Sequence, residues 1–387
     1  MVYYTCILLY LPCHILQNND ICDILINMNF DPQKPYNALE KLPPNFDYNH
    51  PELLKLVAQA RTELGELKGY SLSLPNPLLL LSPAILKESL ASSEIEGVRT
   101  TILQVMENQL FPDDERRDPD KEVLRYREAV TWGFERIKKY SLSTRLILGI
   151  QDRLMTDMPK GYRRQQNAIE DKKTNTILYT PPTQSNIPQH MGHLENFLNN
   201  PPEDMDPLIT CALGHYQFEA IHPFEDGNGR TGRILMVLQL VKAEILNLPI
   251  LYISGYINDN KEEYYKKLLE VTTRQNWEDY VKFMLQGYKL QAKATKEIIF
   301  KIMTLFWELK GKLKKEDKVI YSADLVEALF TFPVISPTKL ATELGVHYTT
   351  ASRYLSRLKE LGVLEDKQIG KYHLYANKKL IEFIHRG

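Results

Sequence analysis

Cysteine is scarce in this chain. Four occur in 387 residues, and the spacing of Cys6, Cys13, Cys22 and Cys211 matches no zinc pattern and is too sparse for a disulfide scaffold. A reducing, cytoplasmic compartment is the expectation. Charge of one sign is also lacking. The 48 Lys and Arg residues nearly cancel the 49 Asp and Glu, leaving a net charge of −1, so no overall basicity argues for nucleic acid and no acidic tail is present. Residues 1–27 contain no Lys or Arg, which excludes the basic start of a secretory signal. Their longest apolar patch, Cys6 to Leu11, stops at Pro12, far short of the roughly 20 residues that span a bilayer. No membrane association is expected. Residues 1–27 read as a gene-model extension ahead of a natural start at Met28; a short targeting or lipid-attachment segment at Cys13 is the other reading. A hydrophobic content of 43% and a charged content of 25% are ordinary for a globular protein, and the length allows two to three domains.

One stretch concentrates chemistry: His222-Pro223-Phe224-Glu225-Asp226-Gly227-Asn228-Gly229-Arg230-Thr231-Gly232-Arg233. It ends where an apolar helical pattern begins (Ile234, Leu235, Val237, Leu238, Val241). A loop feeding a helix N-terminus offers free backbone N–H groups to an anion, and glycines allow close approach. Arg230 and Arg233 match phosphate oxygens in fork geometry. Asp226 beside phosphate implies an intervening Mg²⁺. His222 is the group able to accept a proton near neutrality. The residues therefore point to phosphoryl-type chemistry on a nucleotide with His222 as base.

These twelve residues resemble the signature H-x-F-x-(D/E)-G-N-G-R-x-x-R of Fic (Fido-fold) proteins, with no departure at a specified position, and the resemblance runs roughly from Phe30 to Tyr288. It implies transfer of AMP from ATP to a Tyr, Thr or Ser hydroxyl of a target protein. Gly227, Asn228, Gly229, Arg230, Thr231, Gly232 and Arg233 would then line the nucleotide with His222, and Asp226 would hold the metal. Ala84 to Glu96 has a helical pattern that Gly97 stops. Within it Ser92-Ser93-Glu94-Ile95-Glu96-Gly97 resembles the family's inhibitory motif (S/T)-x-x-x-E-(G/N). The resemblance implies that Glu96 occupies Arg233 while Ser92 fixes the helix, which would leave the triphosphate misplaced.

The rest of the chain frames this centre. Phe30 to Asn49 is a proline-rich arm. Pro51–Leu67, Asp120–Tyr140, Thr144–Asp157, Leu208–Ile221, Ile234–Leu246, Asn260–Val271 and Trp277–Leu290 read as helices. Pro75, Pro77 and Pro83 read as breaks. Residues 167–169 and 176–179 flank a polar turn, a hairpin that the resemblance makes a flap over the site, holding the target segment by strand-like pairing. His190 and His193 are three apart, but Glu195 is off their face, so they read as surface or helix-packing residues rather than ligands. His215 reads as a core or supporting histidine. The resemblance places the adenine near Tyr264 and Tyr265, with Tyr265 as the contact. Gln291–Lys315 reads as a helical connector. Ser336–Leu344, the turn at Gly345, Thr349–Leu361 and a strand pair at 363–366 and 372–375 resemble a winged helix-turn-helix. Its Arg353, Arg357, Lys359, Lys367 and Lys371 leave both DNA contact and protein contact open.

The expected fold is mainly α: a Fic-type helical core with a β-hairpin flap and a C-terminal winged helix. The boundaries expected are 28–118 for the arm and inhibitory helix, 119–290 for the catalytic core, 291–330 for the connector and 331–387 for the winged helix. Self-modification and a homodimer are compatible with the resemblance. So are removal of AMP from proteins, transfer of another nucleotide such as UMP, and a DNA-binding regulator that senses nucleotide.

Overall fold

The computed structural model describes residues 30–72, 78–171 and 175–386. The readings on residues 1–27 and Met28, the breaks at Pro75 and Pro77 and the tip of the hairpin lie outside the described residues. Among these, fifteen α-helices and two small sheets occur, as a mainly α reading expects. None of the helices is long and apolar enough to cross a membrane.

The helices are α1 (Pro51–Leu72), α2 (Leu78–Ile95), α3 (Ile102–Asn108), α4 (Asp118–Ile137), α5 (Thr144–Leu154), α6 (Ile187–Asn199), α7 (Pro207–Ile221) and α8 (Asn228–Lys242). They continue with α9 (Ile253–Asp259), α10 (Lys261–Arg274), α11 (Trp277–Glu316), α12 (Ala323–Thr331), α13 (Pro337–Leu344), α14 (Tyr348–Glu360) and α15 (Lys378–Arg386). Local chemistry fixes many starts. Ser143 caps α5, Asp206 caps α7 with Pro207 at its first position, and Thr101 with Gln104 forms a capping box on α3.

Helices α7 and α8 are buried almost all round and form the centre. Around them pack α4, α5, α6 and α11. Helix α1 lies along α11 in the same direction. Lys282, Lys289 and Lys296 donate to Glu52, Gln59 and Glu66, a step of seven on both helices, as near-parallel packing requires.

Three boundaries differ from the sequence reading. Helix α2 starts at Leu78 and carries Pro83 inside it. A proline early in a helix removes a single hydrogen bond, and packing of α2 on α4, α9 and α12 outweighs it. Helix α11 runs unbroken for 40 residues, so the helix does not end at Leu290 as the sequence reading had it. Its apolar face simply changes partner, from the core to the C-terminal region, where Phe306 meets Phe330 at 5.2 Å. Helix α8 starts at Asn228, not Ile234, so the second half of the signature is itself helical.

Strands β1 (Ile169–Asp171) and β2 (Thr176–Tyr179) form the expected hairpin. Strands β3 (Val334–Ile335), β4 (Glu365–Ile369) and β5 (Tyr372–Ala376) form a sheet in the order β3-β5-β4. Gly345, at φ +62°, makes the tight turn between α13 and α14. This is the helix-turn-helix and hairpin that the sequence suggested, with the first strand shifted toward the hairpin tip and the second starting at Tyr372 as read. Its basic residues are largely spent within the chain. Arg357 binds Asp317 and Glu360, Lys359 binds Asp366, Lys367 reaches Glu107 at 2.8 Å and Lys371 reaches Glu115 at 2.7 Å. The last two tie the β4–β5 hairpin to α3 and the turn after it.

Candidate active site

His222 ends α7 in the left-handed region, at φ +48°, a costly conformation for a side chain with a Cβ and one that tertiary contacts must hold. Arg163 supplies those contacts. Its Nε donates to the His222 carbonyl at 3.0 Å, its Nη1 to Gln165, its Nη2 to the Pro182 carbonyl, and its backbone N–H to Pro223. Nothing in the sequence marked Arg163, because its partners are carbonyls, most of them from two distant segments, Pro182 and His222-Pro223. His222 Nδ1 lies 3.3 Å from the Glu219 carbonyl. That carbonyl can only accept, so Nδ1 carries the proton and Nε2 presents a lone pair. Burial pulls the His222 pKa down to about 4, so the ring is neutral at physiological pH.

The loop then closes on itself. Asn228 Oδ1 accepts from the Phe224 N–H and its Nδ2 donates to the Phe224 carbonyl, both at 2.9 Å. The Asn228 side chain is thus spent on loop shape. Gly227, at φ +82°, turns the chain into α8, a conformation glycine tolerates best. The first backbone N–H groups of α8 have no partner within the helix and face the loop. Asp226 Oδ1 accepts from the Gly227 N–H at 2.6 Å, and its carboxylate is half exposed. It stands 3.6 Å from Arg230 Nη2. One exposed carboxylate next to an anion cradle fits Mg²⁺, which takes one or two carboxylates and fills its shell with phosphate oxygens and water.

Arg230 is buried and held by Glu122 at 2.9 Å, with Met155 Sδ beneath. Thr231 is fully buried, and its Oγ1 has no partner among the described residues. Gly232 leaves room for Glu219, whose Oε1 would collide with any Cβ there.

Arg233 is the most enclosed charge of the group, 1% exposed. Its Nε donates to Ser92 Oγ at 2.8 Å, and Nη2 donates both to the Ser92 carbonyl at 3.0 Å and to Glu96 Oε1 at 2.6 Å. Burial alone would lower its pKa, but Glu96, then Tyr126 and Glu219, raise it overall. Burial opposes ionisation of Glu96 too, yet Arg233 brings its pKa below the ordinary carboxylate value. Glu96 is placed by a helix stop. Gly97, at φ +94°, donates to the Glu94 carbonyl and Val98 to that of Ser93, the paired bonds of a Schellman motif. Gly229 sits directly under the pair. A Cβ there would lie 2.6 Å from Glu96 Oε1 and 2.8 Å from Arg233 Nη1.

Tyr265 is 40% exposed, with its ring 5.3 Å from Tyr264 and 6.0 Å from Lys261 Nζ. His215 is in the core, bonded to the Tyr264 hydroxyl at 2.7 Å, and burial lowers its pKa to about 3. Glu219 was missed. It is a lone acid in an apolar helix three residues before His222, which was a legible signal. Burial raises its pKa to about 7, and its Oε1 has no hydrogen-bond partner. The hairpin lies beside the loop, with Tyr179 Oη donating to the Ala220 carbonyl and Asn167 to that of Phe224. His190 and His193 join no cluster of metal-ligating residues among the described residues.

A neutral imidazole beside a glycine-lined helix N-terminus, on a helical scaffold, can hold an anion next to a proton acceptor. Three family models match the chain. The Fic/DOC family N-terminal model matches residues 54–135, the Fic/DOC family model residues 141–240, and the model for the C-terminal domain of SoFic-like protein adenylyltransferases residues 305–380. The chain belongs to the Fic/DOC family. It is 27% identical over 256 residues to a probable protein adenylyltransferase of Aquifex aeolicus, covering 64% of this chain and 72% of that one. It is also 27% identical over 201 residues to the protein adenylyltransferase Fic of Nematostella vectensis, covering 50% of this chain and 45% of that one. Among solved structures, a Fic family protein from Desulfovibrio desulfuricans superposes with a TM-score of 0.55 at 21% identity, covering 87% of this chain and 98% of that one. Fic-1 of C. elegans gives 0.51 at 16% identity, covering 66% and 75%. At these identities the structural likeness concerns the fold.

Proposed function

We propose that this chain transfers AMP from ATP to a hydroxyl side chain of a target protein, and that Glu96 restrains the reaction. In the chemistry, His222 Nε2 takes the proton of a Tyr, Thr or Ser hydroxyl. That oxygen bonds to the α-phosphorus, the bond from the α-phosphorus to the bridging oxygen breaks, and pyrophosphate leaves. The backbone N–H groups of Asn228 and Gly229, at the start of α8, steady the anion as charge develops, while that of Gly227 holds Asp226. Asp226 would hold Mg²⁺, which supplies positive charge to the phosphates when bound. The β1–β2 hairpin would seat the target segment beside His222, and Tyr265 would lie against the adenine.

Restraint follows from one guanidinium with two claimants. Arg233 released from Glu96 would bind the distal phosphates; Arg233 held by Glu96 leaves them misplaced for in-line attack. The observation that supports this most is the 2.6 Å contact between Glu96 and Arg233, with Ser92 bracing both the Nε and Nη2 of the same group. Incubation of the Glu96→Gly protein with α-labelled ATP and a cell lysate is the test. Labelled protein bands, lost when His222→Ala is added to the same chain, are the expected result. The absence of label in Glu96→Gly, with ATP binding intact, would overturn the transferase reading.

A further inference from the structure

Away from the signature loop, a cleft of about 700 Å³ opens between the segment 109–116 with α4 on one side and the C-terminal helices and hairpin on the other. No carboxylate lines it, whereas Arg116, Arg127, Lys339, Lys371 and His373 all do. Three of these side chains are cations matched by acids, Arg116 by Asp113, Lys339 by Glu343 and Lys371 by Glu115, and His373 lies 3.1 Å from Asp366. Arg127 is different. Its only hydrogen-bond partner among the described residues is the neutral Gln109 Oε1, at 2.8 Å from Nη1. Burial, and then the charge of Arg116, lower its pKa below the ordinary arginine value. A half-buried guanidinium with no carboxylate partner among the described residues, on a cavity that a second guanidinium also lines, favours the arrival of an anion. The cavity also has flat apolar walls. Tyr372 stacks on Phe111 at 4.5 Å, and the Tyr348 ring is half exposed.

We propose that this cleft is a second ligand site, separate from the signature loop, that binds a phosphate-bearing ring compound of mononucleotide size. The phosphate sits on the Arg127 guanidinium and the ring lies against the Tyr348 wall. The volume falls within the range of small-molecule sites, and the guanidinium geometry suits phosphate oxygens in pairs.

The test is hydrogen–deuterium exchange on the full chain with GMP, and with guanosine as the phosphate-free control. GMP protects the backbone of residues 109–116 and 337–342, and guanosine does not. Arg127→Gln removes that protection, or shifts its GMP midpoint by at least about tenfold. Arg233→Gln leaves it in place, which separates the cleft from the signature loop. Arg127→Lys keeps the charge but loses the fork and weakens protection while retaining the fold, so the outcome does not depend on Arg127→Gln folding. No protection by GMP in these segments, equal protection by guanosine, or protection indifferent to both Arg127 variants would overturn the proposal.

Discussion

Replacing Glu96 by glycine removes the carboxylate that holds Arg233 at 2.6 Å and leaves the two bonds from Ser92 in place. A hydrogen bond between two charged groups contributes about 1.5–3 kcal/mol. Glu96 keeps 35% of its side-chain surface exposed, so screening places this pair lower, at about 1–2 kcal/mol. If the same guanidinium must be vacated before it can bind the distal phosphates, that energy is a tax on productive ATP binding. Its removal then raises the transfer rate at low ATP by about five- to thirtyfold, at 1.4 kcal/mol per factor of ten. The same substitution leaves a buried guanidinium without its carboxylate, so the melting midpoint falls. The two effects together are diagnostic, because a gain in activity with a loss in stability is what a restraining contact produces. Glu96→Gln, which keeps a hydrogen bond but not the charge, falls between wild type and glycine. The assay is incorporation of α-labelled ATP into protein across an ATP titration, paired with a thermal melt. A Glu96→Gly rate within about twofold of wild type at low ATP, with a lowered melt, would make the contact structural only and refute the reasoning.

Further predictions follow from the same geometry. Because the His222 pKa lies near 4 and the base acts when deprotonated, transfer by Glu96→Gly stays level as pH falls through 6.5 and declines only toward about 4; a decline centred near 6.5 in a pH–rate profile would contradict the buried, neutral imidazole. Glu219 has a folded pKa near 7, above the ordinary 4.5, so the folded state binds the extra proton between those values. Its contribution falls as pH rises through that window, and Glu219→Gln raises stability at pH 8 by on the order of 1–3 kcal/mol with little effect at pH 4, measured by urea unfolding. His215 works in the opposite direction. Its folded pKa near 3 means that stability is lost as pH falls below about 6.5, and His215→Phe flattens that acid limb if the ring is accommodated. Gly229→Ala drives a Cβ between Glu96 Oε1 and Arg233 Nη1 and lowers stability by about 1–3 kcal/mol, read by thermal melt.

Much of the site was legible because its chemistry is local. The twelve residues from His222 to Arg233 are contiguous, and glycine, histidine and arginine at those spacings have few other uses together. Glu96 and Ser92 were legible only through resemblance, since a serine and a glutamate four apart on a helix are common on surfaces. Helix positions followed from apolar periodicity, but boundaries did not. Pro83 looked like a break and is helical, and the signature looked like loop up to Arg233 although α8 begins at Asn228. In both places packing overrides local preference. Arg163 and Glu122 escaped notice because their partners lie far away in sequence: Arg163 binds the carbonyls of Pro182 and His222, and Glu122 binds Arg230.

What the sequence by itself determined is the inventory: a histidine, a glycine-rich run with two arginines, a carboxylate beside it and a mainly helical frame, each written in residues adjacent along the chain. What only the tertiary structure decided is how the charges are shared. Arg233 faces Glu96, Arg230 faces Glu122, and Arg127 faces no carboxylate among the described residues. Lys367 and Lys371 of the β4–β5 hairpin are joined to Glu107 and Glu115. The physical reason is that electrostatic partnership depends on distance and burial, which pack residues more than a hundred positions apart into contact, whereas backbone conformation and side-chain chemistry are fixed by neighbours in sequence.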